Sequence, residues 1–179
     1  MLKNTKLSKK MIALILAGAS SLTMLDEFLD EKEGNSLTAY RDAGGVVTIC
    51  RGVTKIAGKP IPIDLKLTES QCSFLNEHEA EQALAIVDKY ITYPLNDVAK
   101  VGVASFCAYN IGIGKCKKST FFRLINAGDL QGACNEIPRW IRDGGKDCRL
   151  TKGQPNGCYG QVIRREQEQE LCLWLTKNQ

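Results

Sequence analysis

The run Glu33-Gly34-Asn35-Ser36-Leu37-Thr38-Ala39-Tyr40-Arg41-Asp42-Ala43-Gly44-Gly45-Val46-Val47-Thr48-Ile49-Cys50 decides how this chain of 179 residues is read. Just before it, Leu22, Leu25, Phe28 and Leu29 recur at helical spacing, with Asp26, Glu27, Asp30 and Glu31 between them. That pattern makes an amphipathic helix leading into Glu33, and Gly34 suits the position just past a helix end. Leu37 to Arg41 reads as a strand, Ala43-Gly44-Gly45 as a turn, and Val46 to Cys50 as the returning strand. One carboxylate, Glu33, therefore sits on the last turn of a helix. A second, Asp42, lies at the tip of a hairpin, and the hydroxyl of Thr48 lies on the return strand.

Two carboxyl groups in different surroundings suit cleavage of a glycosidic bond. One must be protonated to donate to the leaving oxygen; the other must be ionised to stabilise positive charge or activate water. The negative end of a helix dipole disfavours charge on Glu33, whereas a polar hairpin tip leaves Asp42 ionised. Thr48 can donate and accept hydrogen bonds and so hold a water near Asp42. A Glu ending a helix and an Asp in a turn are also common in purely structural roles, and spacing alone does not choose between the two readings.

The order Glu, eight residues, Asp, five residues, Thr, with Gly after the Glu and Tyr two before the Asp, resembles the catalytic signature of the phage lysozymes of glycoside hydrolase family 24. Gly160-Gln161-Val162-Ile163-Arg164-Arg165-Glu166, ahead of Glu170-Leu171-Cys172-Leu173-Trp174, is similar to the carboxy-terminal helix of that family. The resemblance runs from Leu22 to Trp174. It implies an α+β, mainly helical lysozyme-like fold: a small β-hairpin lobe, a connecting helix and a helical carboxy-terminal lobe, with the saccharide cleft between the lobes.

The activity implied is that of a phage endolysin hydrolysing the β-1,4 bond between N-acetylmuramic acid and N-acetylglucosamine. Glu33 would protonate the glycosidic oxygen, while Asp42 would stabilise the oxocarbenium charge or orient a water with Thr48. The resemblance favours an inverting, water-mediated displacement. It also puts Tyr109 where an aromatic lines the cleft, with Thr120 as a further substrate-binding candidate, although Tyr109 reads equally well as a core aromatic. Peptidoglycan is the expected partner, a monomer the expected state, and no metal or organic cofactor is implied. One departure stands out: Gly52-Val53-Thr54 occurs where the family usually has Gly-His-Thr, so a local rearrangement is expected there. Two rivals share the resemblance, a lytic transglycosylase leaving anhydro-sugar ends and a catalytically inactive peptidoglycan-binding relative. Asp42 and Thr48 argue against the transglycosylase.

Composition bounds the rest. Hydrophobic content of 44% supports a core, and 25% charged residues is ordinary for a soluble protein. The net charge is +4, and Lys3, Lys6, Lys9 and Lys10 in residues 1–19, which contain no Asp or Glu, account for all of it. The remainder is neutral, which argues against nucleic acid as a partner. After those lysines comes Met11 to Leu25, an apolar run rich in Ala, Gly, Ser and Thr and shorter than the roughly 20 residues of a comfortable membrane span. Three readings compete for it: a cleaved signal peptide, supported by Ala17-Gly18-Ala19; a stable anchor; and a signal-arrest-release segment that inserts, tethers the enzyme inactive and later leaves the membrane uncut. The helical pattern from Leu22 to Glu33 favours the third, because it leaves almost no spacer before Glu33. The expected division is a segment 1–25 and a catalytic domain 26–179, located first at the host inner membrane and then in the periplasm.

Eight cysteines, Cys50, Cys72, Cys107, Cys116, Cys134, Cys148, Cys158 and Cys172, together with an export segment, point to disulfides in an oxidising compartment. Zinc is disfavoured, since no C-x-x-C pair occurs and the single histidine, His78, lies apart from them. The sequence does not settle the connectivity. The pairing adopted as an expectation is Cys50–Cys72, Cys107–Cys116, Cys134–Cys172 and Cys148–Cys158, two short loops and two ties between separate elements. No cysteine lies in residues 1–49, which excludes activation by a thiol in the membrane segment.

Farther along, Pro60 to Asp64 reads as a short extended piece. Thr68-Glu69-Ser70-Gln71 reads as a capping box opening a long helix to about Ile91. A helix apolar nearly all round follows Asn96 and runs to about Tyr109. Ser119 or Thr120 caps a helix over 121–127, and Pro138 breaks the next one. The last helix carries Arg164, Arg165, Glu166, Glu168 and Glu170, read mostly as a solvated face.

Overall fold

The amphipathic helix preceding Glu33 forms over Ser21–Asp30 and buries Met24, Leu25, Phe28 and Leu29, the apolar side of its repeat. We describe it as α2 of a computed structural model covering residues 5–42 and 44–174. Lys3 of the basic tail and Ala43 of the expected turn lie outside the described residues. A preceding helix, α1 (Lys9–Leu16), is separated from α2 by Ala17-Gly18-Ala19-Ser20. Gly18 takes φ +68°, a left-handed value that glycine reaches without steric cost. Ser8 and Ser20 cap the two helices by accepting from the Met11 and Thr23 amides. The apolar run is thus two short helices, and among the described residues no helix is long and apolar enough to cross a membrane.

The amino-terminal segment folds back on the domain. Leu7 and Met11 join the main core. The Lys6 amide donates to Glu170 Oε2 at 2.9 Å, its carbonyl accepts from Gln167 Nε2 at 2.6 Å, and its ammonium pairs with Glu166 at 2.6 Å. Helix α2 crosses position 25 without interruption.

Beyond Glu33, β1 (Ser36–Arg41) and β2 (Val47–Cys50) pair antiparallel, with Tyr40 opposite Thr48 and a register irregularity between Ser36 and Tyr40. A two-residue ladder, β3 (Lys55–Ile56) and β4 (Lys59–Pro60), follows, so the extended piece begins one residue before Pro60 and ends at it. This lobe has its own small core of Ala39, Ile49, Cys50, Val53, Ile61 and Cys72. Thr68 then opens the long α3 (Glu69–Tyr90) with a complete capping box, Gln71 reaching back to the Thr68 amide.

In the helical lobe, α4 (Asp97–Val103) packs on the last helix, α8 (Tyr159–Cys172). Gly102 permits this approach: a Cβ there would lie 2.6 Å from the Glu168 carbonyl oxygen and 2.8 Å from the Cys172 amide nitrogen. The expected single helix to Tyr109 is instead α4 continued by a π-helical segment, Ala104–Asn110. Short π segments inside helices often accompany functional positions. Helix α5 (Ile113–Cys116) is followed by α6 (Thr120–Asn126), capped by Ser119 rather than Thr120. Helix α7 (Leu130–Glu136) gives way at Ile137–Arg139 to a tighter turn containing Pro138. Phe106 meets Phe121 and Trp140 edge-on, at 5.1 and 5.9 Å between ring centroids.

Disulfides join Cys50 to Cys72, Cys107 to Cys116, Cys134 to Cys172 and Cys148 to Cys158. The first ties the end of β2 to α3, and the third ties α7 to α8. All eight thiols are consumed, so no cysteine is left to bind zinc.

Candidate active site

Glu33 lies in the turn just past α2, three residues beyond its end at Asp30 rather than on its last turn, and its amide still donates to the Leu29 carbonyl at 2.9 Å. Its side chain is 29% exposed and lines a cavity of about 360 Å³. Arg51 and Gly52 from the loop after β2, Glu79, Gln82, Ala83 and Ile86 from α3, and Ala108, Tyr109 and Asn110 from the π segment complete the wall. The cavity therefore lies where the hairpin lobe, the long helix and the helical lobe meet. A second cavity of about 540 Å³ shares Asn110 and is lined by Lys115, Arg139, Trp140 and Arg142 among others.

Facing Glu33 is a cation that the sequence pattern does not reveal. Arg164 Nη1 donates to Glu33 Oε1 at 2.5 Å, while Arg164 Nε reaches Glu168 Oε1 at 3.2 Å. Here the reading of α8 as a solvated face is corrected: Arg164 is 8% exposed, and Arg165 and Glu168 are fully buried. Buried charge persists when it is paired and hydrogen-bonded. Burial pushes the Glu168 carboxyl up, against the pull of Arg165 and Arg164. Burial also works against charge on Arg164, but Glu168 and Glu33 outweigh it and hold the guanidinium above its ordinary range. The surroundings of Glu33 thus include a fixed positive group besides the helix end that was expected to disfavour its charge.

Tyr109 belongs to the cavity wall, with its hydroxyl donating to the Arg51 carbonyl at 2.5 Å. Burial, and then the nearby Glu33, push its phenol up to about 12. Arg51 is a junction between lobes. Its amide donates to Asn76 Oδ1 at 3.1 Å, and its guanidinium donates to the Asp26 carbonyl at 2.6 Å and to the Asp26 carboxylate. These bonds occupy the region beside Val53, where the usual family histidine is missing.

Asp42 sits just past β1. Its Oδ1 accepts from the Gly44 and Val46 amides at 2.9 and 2.8 Å, so one oxygen closes the hairpin turn. Thr48 is 3% exposed and donates to the Val46 carbonyl at 3.1 Å. Neither residue lines the cavity that holds Glu33. Nor does Thr120, which is exposed at the first position of α6. Sequence reasoning missed Arg51, Glu79, Gln82, Asn110, Ser105 and the buried trio on α8. The one available signal was the i, i+4 spacing of Arg164 and Glu168, which does not distinguish an exposed pair from a buried one.

A carboxyl at a helix end, set in a groove between a hairpin lobe and a helical lobe, is the layout of a lysozyme-type glycoside hydrolase. The family described as Phage lysozyme matches residues 30–168. A SAR-endolysin of Escherichia phage N15 is 58% identical over 174 residues, covering 97% of this chain and 98% of that protein. A probable prophage lysozyme of Escherichia coli strain K12 is 53% identical, covering 96% of this chain and 97% of the relative. Among solved structures, an endolysin from Escherichia coli O157:H7 phage FAHEc1 superposes with a TM-score of 0.66 at 30% identity, covering 86% of this chain and 90% of that one. The chain belongs to the phage lysozyme family. It is an endolysin-type glycoside hydrolase with the expected mixed fold, helical with small antiparallel sheets.

Proposed function

We propose that the enzyme hydrolyses the β-1,4 bond between N-acetylmuramic acid and N-acetylglucosamine in peptidoglycan, with Glu33 as the proton donor. The observation that carries this reading is the position of Glu33 just past α2, partly exposed on a cavity between the lobes. The Glu33 proton passes to the leaving glycosidic oxygen, and the positive charge of Arg164 balances the carboxylate that remains. Asp42 keeps Oδ1 on the hairpin turn, and in this reading its carboxylate charge serves the developing oxocarbenium ion or its water, with Thr48 as the neighbouring hydroxyl. Tyr109 borders the bound saccharide. Glu33→Gln tests the assignment: clearing of permeabilised Gram-negative cells is lost while the circular dichroism spectrum is kept. Unchanged clearing refutes it.

The amino-terminal segment, in the same reading, first lies in the host inner membrane and later leaves it uncut, placing the active enzyme in the periplasm. Support comes from the lysines ahead of a weakly apolar run, from the name SAR-endolysin borne by the relatives, and from a folded form in which Leu7 and Met11 are buried with the enzyme core. Sequencing the amino terminus of the active form decides it: Met1 supports release, and Ser20 shows cleavage instead.

A further inference from the structure

We infer that Glu168 is a positioning residue for the reaction: together with Ser105 it grips Arg164 from the buried side, so that a single guanidinium nitrogen is presented to Glu33. This inference rests on the reading of Glu33 as the acid and goes on to say what aims it.

All three guanidinium nitrogens of Arg164 are engaged. Nε donates to Glu168 Oε1 at 3.2 Å, Nη2 to Ser105 Oγ at 3.4 Å, and Nη1 to Glu33 Oε1 at 2.5 Å. Two nitrogens are held by the buried Glu168 and Ser105, and the third meets Glu33, which lines the cavity. Glu168 Oε1 is the hub, for it also accepts from Ser105 Oγ at 2.6 Å and from Arg165 Nη2 at 3.2 Å. Glu168 Oε2 lies 2.9 Å from Arg165 Nε, and the Arg165 guanidinium rests over the Phe106 ring, 5.3 Å from its centroid. Once Glu33 has given up its proton, the four groups Glu33, Arg164, Glu168 and Arg165 alternate in sign and sum to zero.

Removing Glu168 alone would leave Arg164 and Arg165 buried without their shared carboxylate and so cost stability, but stability does not require a charged set here at all. Replacing buried ion pairs by apolar residues of similar volume is often neutral or stabilising. An apolar residue at 168 would fill space, but it would leave the planar guanidinium of Arg164 free to swing away from Glu33. A fork held on two prongs has little rotational freedom left. Ser105 is supplied by the π segment, which ties that local widening of the helix to the same task. Displacing a reacting group by about 1 Å can lower a rate as much as a hundredfold, so fixing the partner of Glu33 is enough to be selected.

The test uses the full-length enzyme on solubilised, uncrosslinked glycan strands. Glu168→Gln is expected to lower kcat by about tenfold or more with KM within about twofold, measured at matched folded fraction. In the double variant with Arg164→Lys, the loss is expected to be no greater than for Arg164→Lys alone, because both changes act through one guanidinium. A folded Glu168→Gln protein with unchanged kcat, or a loss that multiplies with that of Arg164→Lys, overturns the inference. If Glu168→Gln does not fold, Ser105→Ala decides by the same two readouts, since it removes one hydroxyl and leaves the charges in place. Glu33→Gln separates the two readings: if it stays active, the assignment of Glu33 falls, and if it is dead while Glu168→Gln is normal, only the positioning role falls.

Discussion

Arg164 Nη1 and Glu33 Oε1 stand 2.5 Å apart, although 131 positions separate the two residues in the chain. The turn after α2 and the last helix, α8, therefore meet at the candidate acid. Between them, Ser105 and Glu168 close the polar network on its buried side. The site is assembled from the two ends of the polypeptide, which makes its integrity a test of the whole fold.

Asp42→Asn should separate charge from structure at the hairpin tip. An asparagine Oδ1 can still accept from the Gly44 and Val46 amides, so the turn is kept while the negative charge is lost. Activity on peptidoglycan is expected to fall by about two orders of magnitude with an unchanged thermal midpoint. A fully active variant would remove Asp42 from the reaction.

Tyr109 sets an alkaline limit on stability. Its phenol is raised to about 12 by burial first and by Glu33 next. Below the unfolded value of about 10, both states hold the proton and nothing is lost. Between about 10 and 12 only the unfolded chain ionises there, so stability falls with rising pH, by at most about 1.4 kcal/mol per pH unit. Denaturant unfolding at a series of pH values should show that Tyr109→Phe lacks this component. Parallel curves for the two proteins would contradict it.

Met11 probes the docking of the amino-terminal segment. It is fully buried in the main core, so Met11→Ala should destabilise the folded enzyme by about 2–5 kcal/mol. Chemical denaturation of the purified full-length protein measures this. A change below about half a kcal/mol, the range of surface substitutions, would mean that the segment is not packed there in solution.

Gly102→Ala tests the α4–α8 contact. The added methyl would fall 2.6 Å from the Glu168 carbonyl oxygen, a backbone atom that cannot swing aside. A loss of about 1–3 kcal/mol is expected, although alanine favours helix by about 1 kcal/mol over glycine. Thermal unfolding that shows a gain instead would mean that the two helices separate easily.

Local chemistry made much of this protein readable from its residues. The apolar repeat ahead of Glu33, the glycine-rich turn after Asp42 and the box Thr68 to Gln71 each act within a few positions, so α2, the hairpin and the start of α3 follow from sequence. The length and polarity of the amino-terminal run likewise belong to the sequence, whereas its division into two helices at Gly18 appears only in the structure. What only the tertiary structure decided is which charges are buried. Arg164, Arg165 and Glu168 look like a wet helix face, because a hydropathy pattern scores each residue as though its partners were water. Their partners are Glu33 and Ser105, brought from distant segments, and only the completed packing lets a carboxylate and two guanidinium groups leave solvent together. The meeting of Tyr109 with the Arg51 carbonyl has the same origin: it depends on how two lobes close on each other, and no spacing along one strand or helix encodes that.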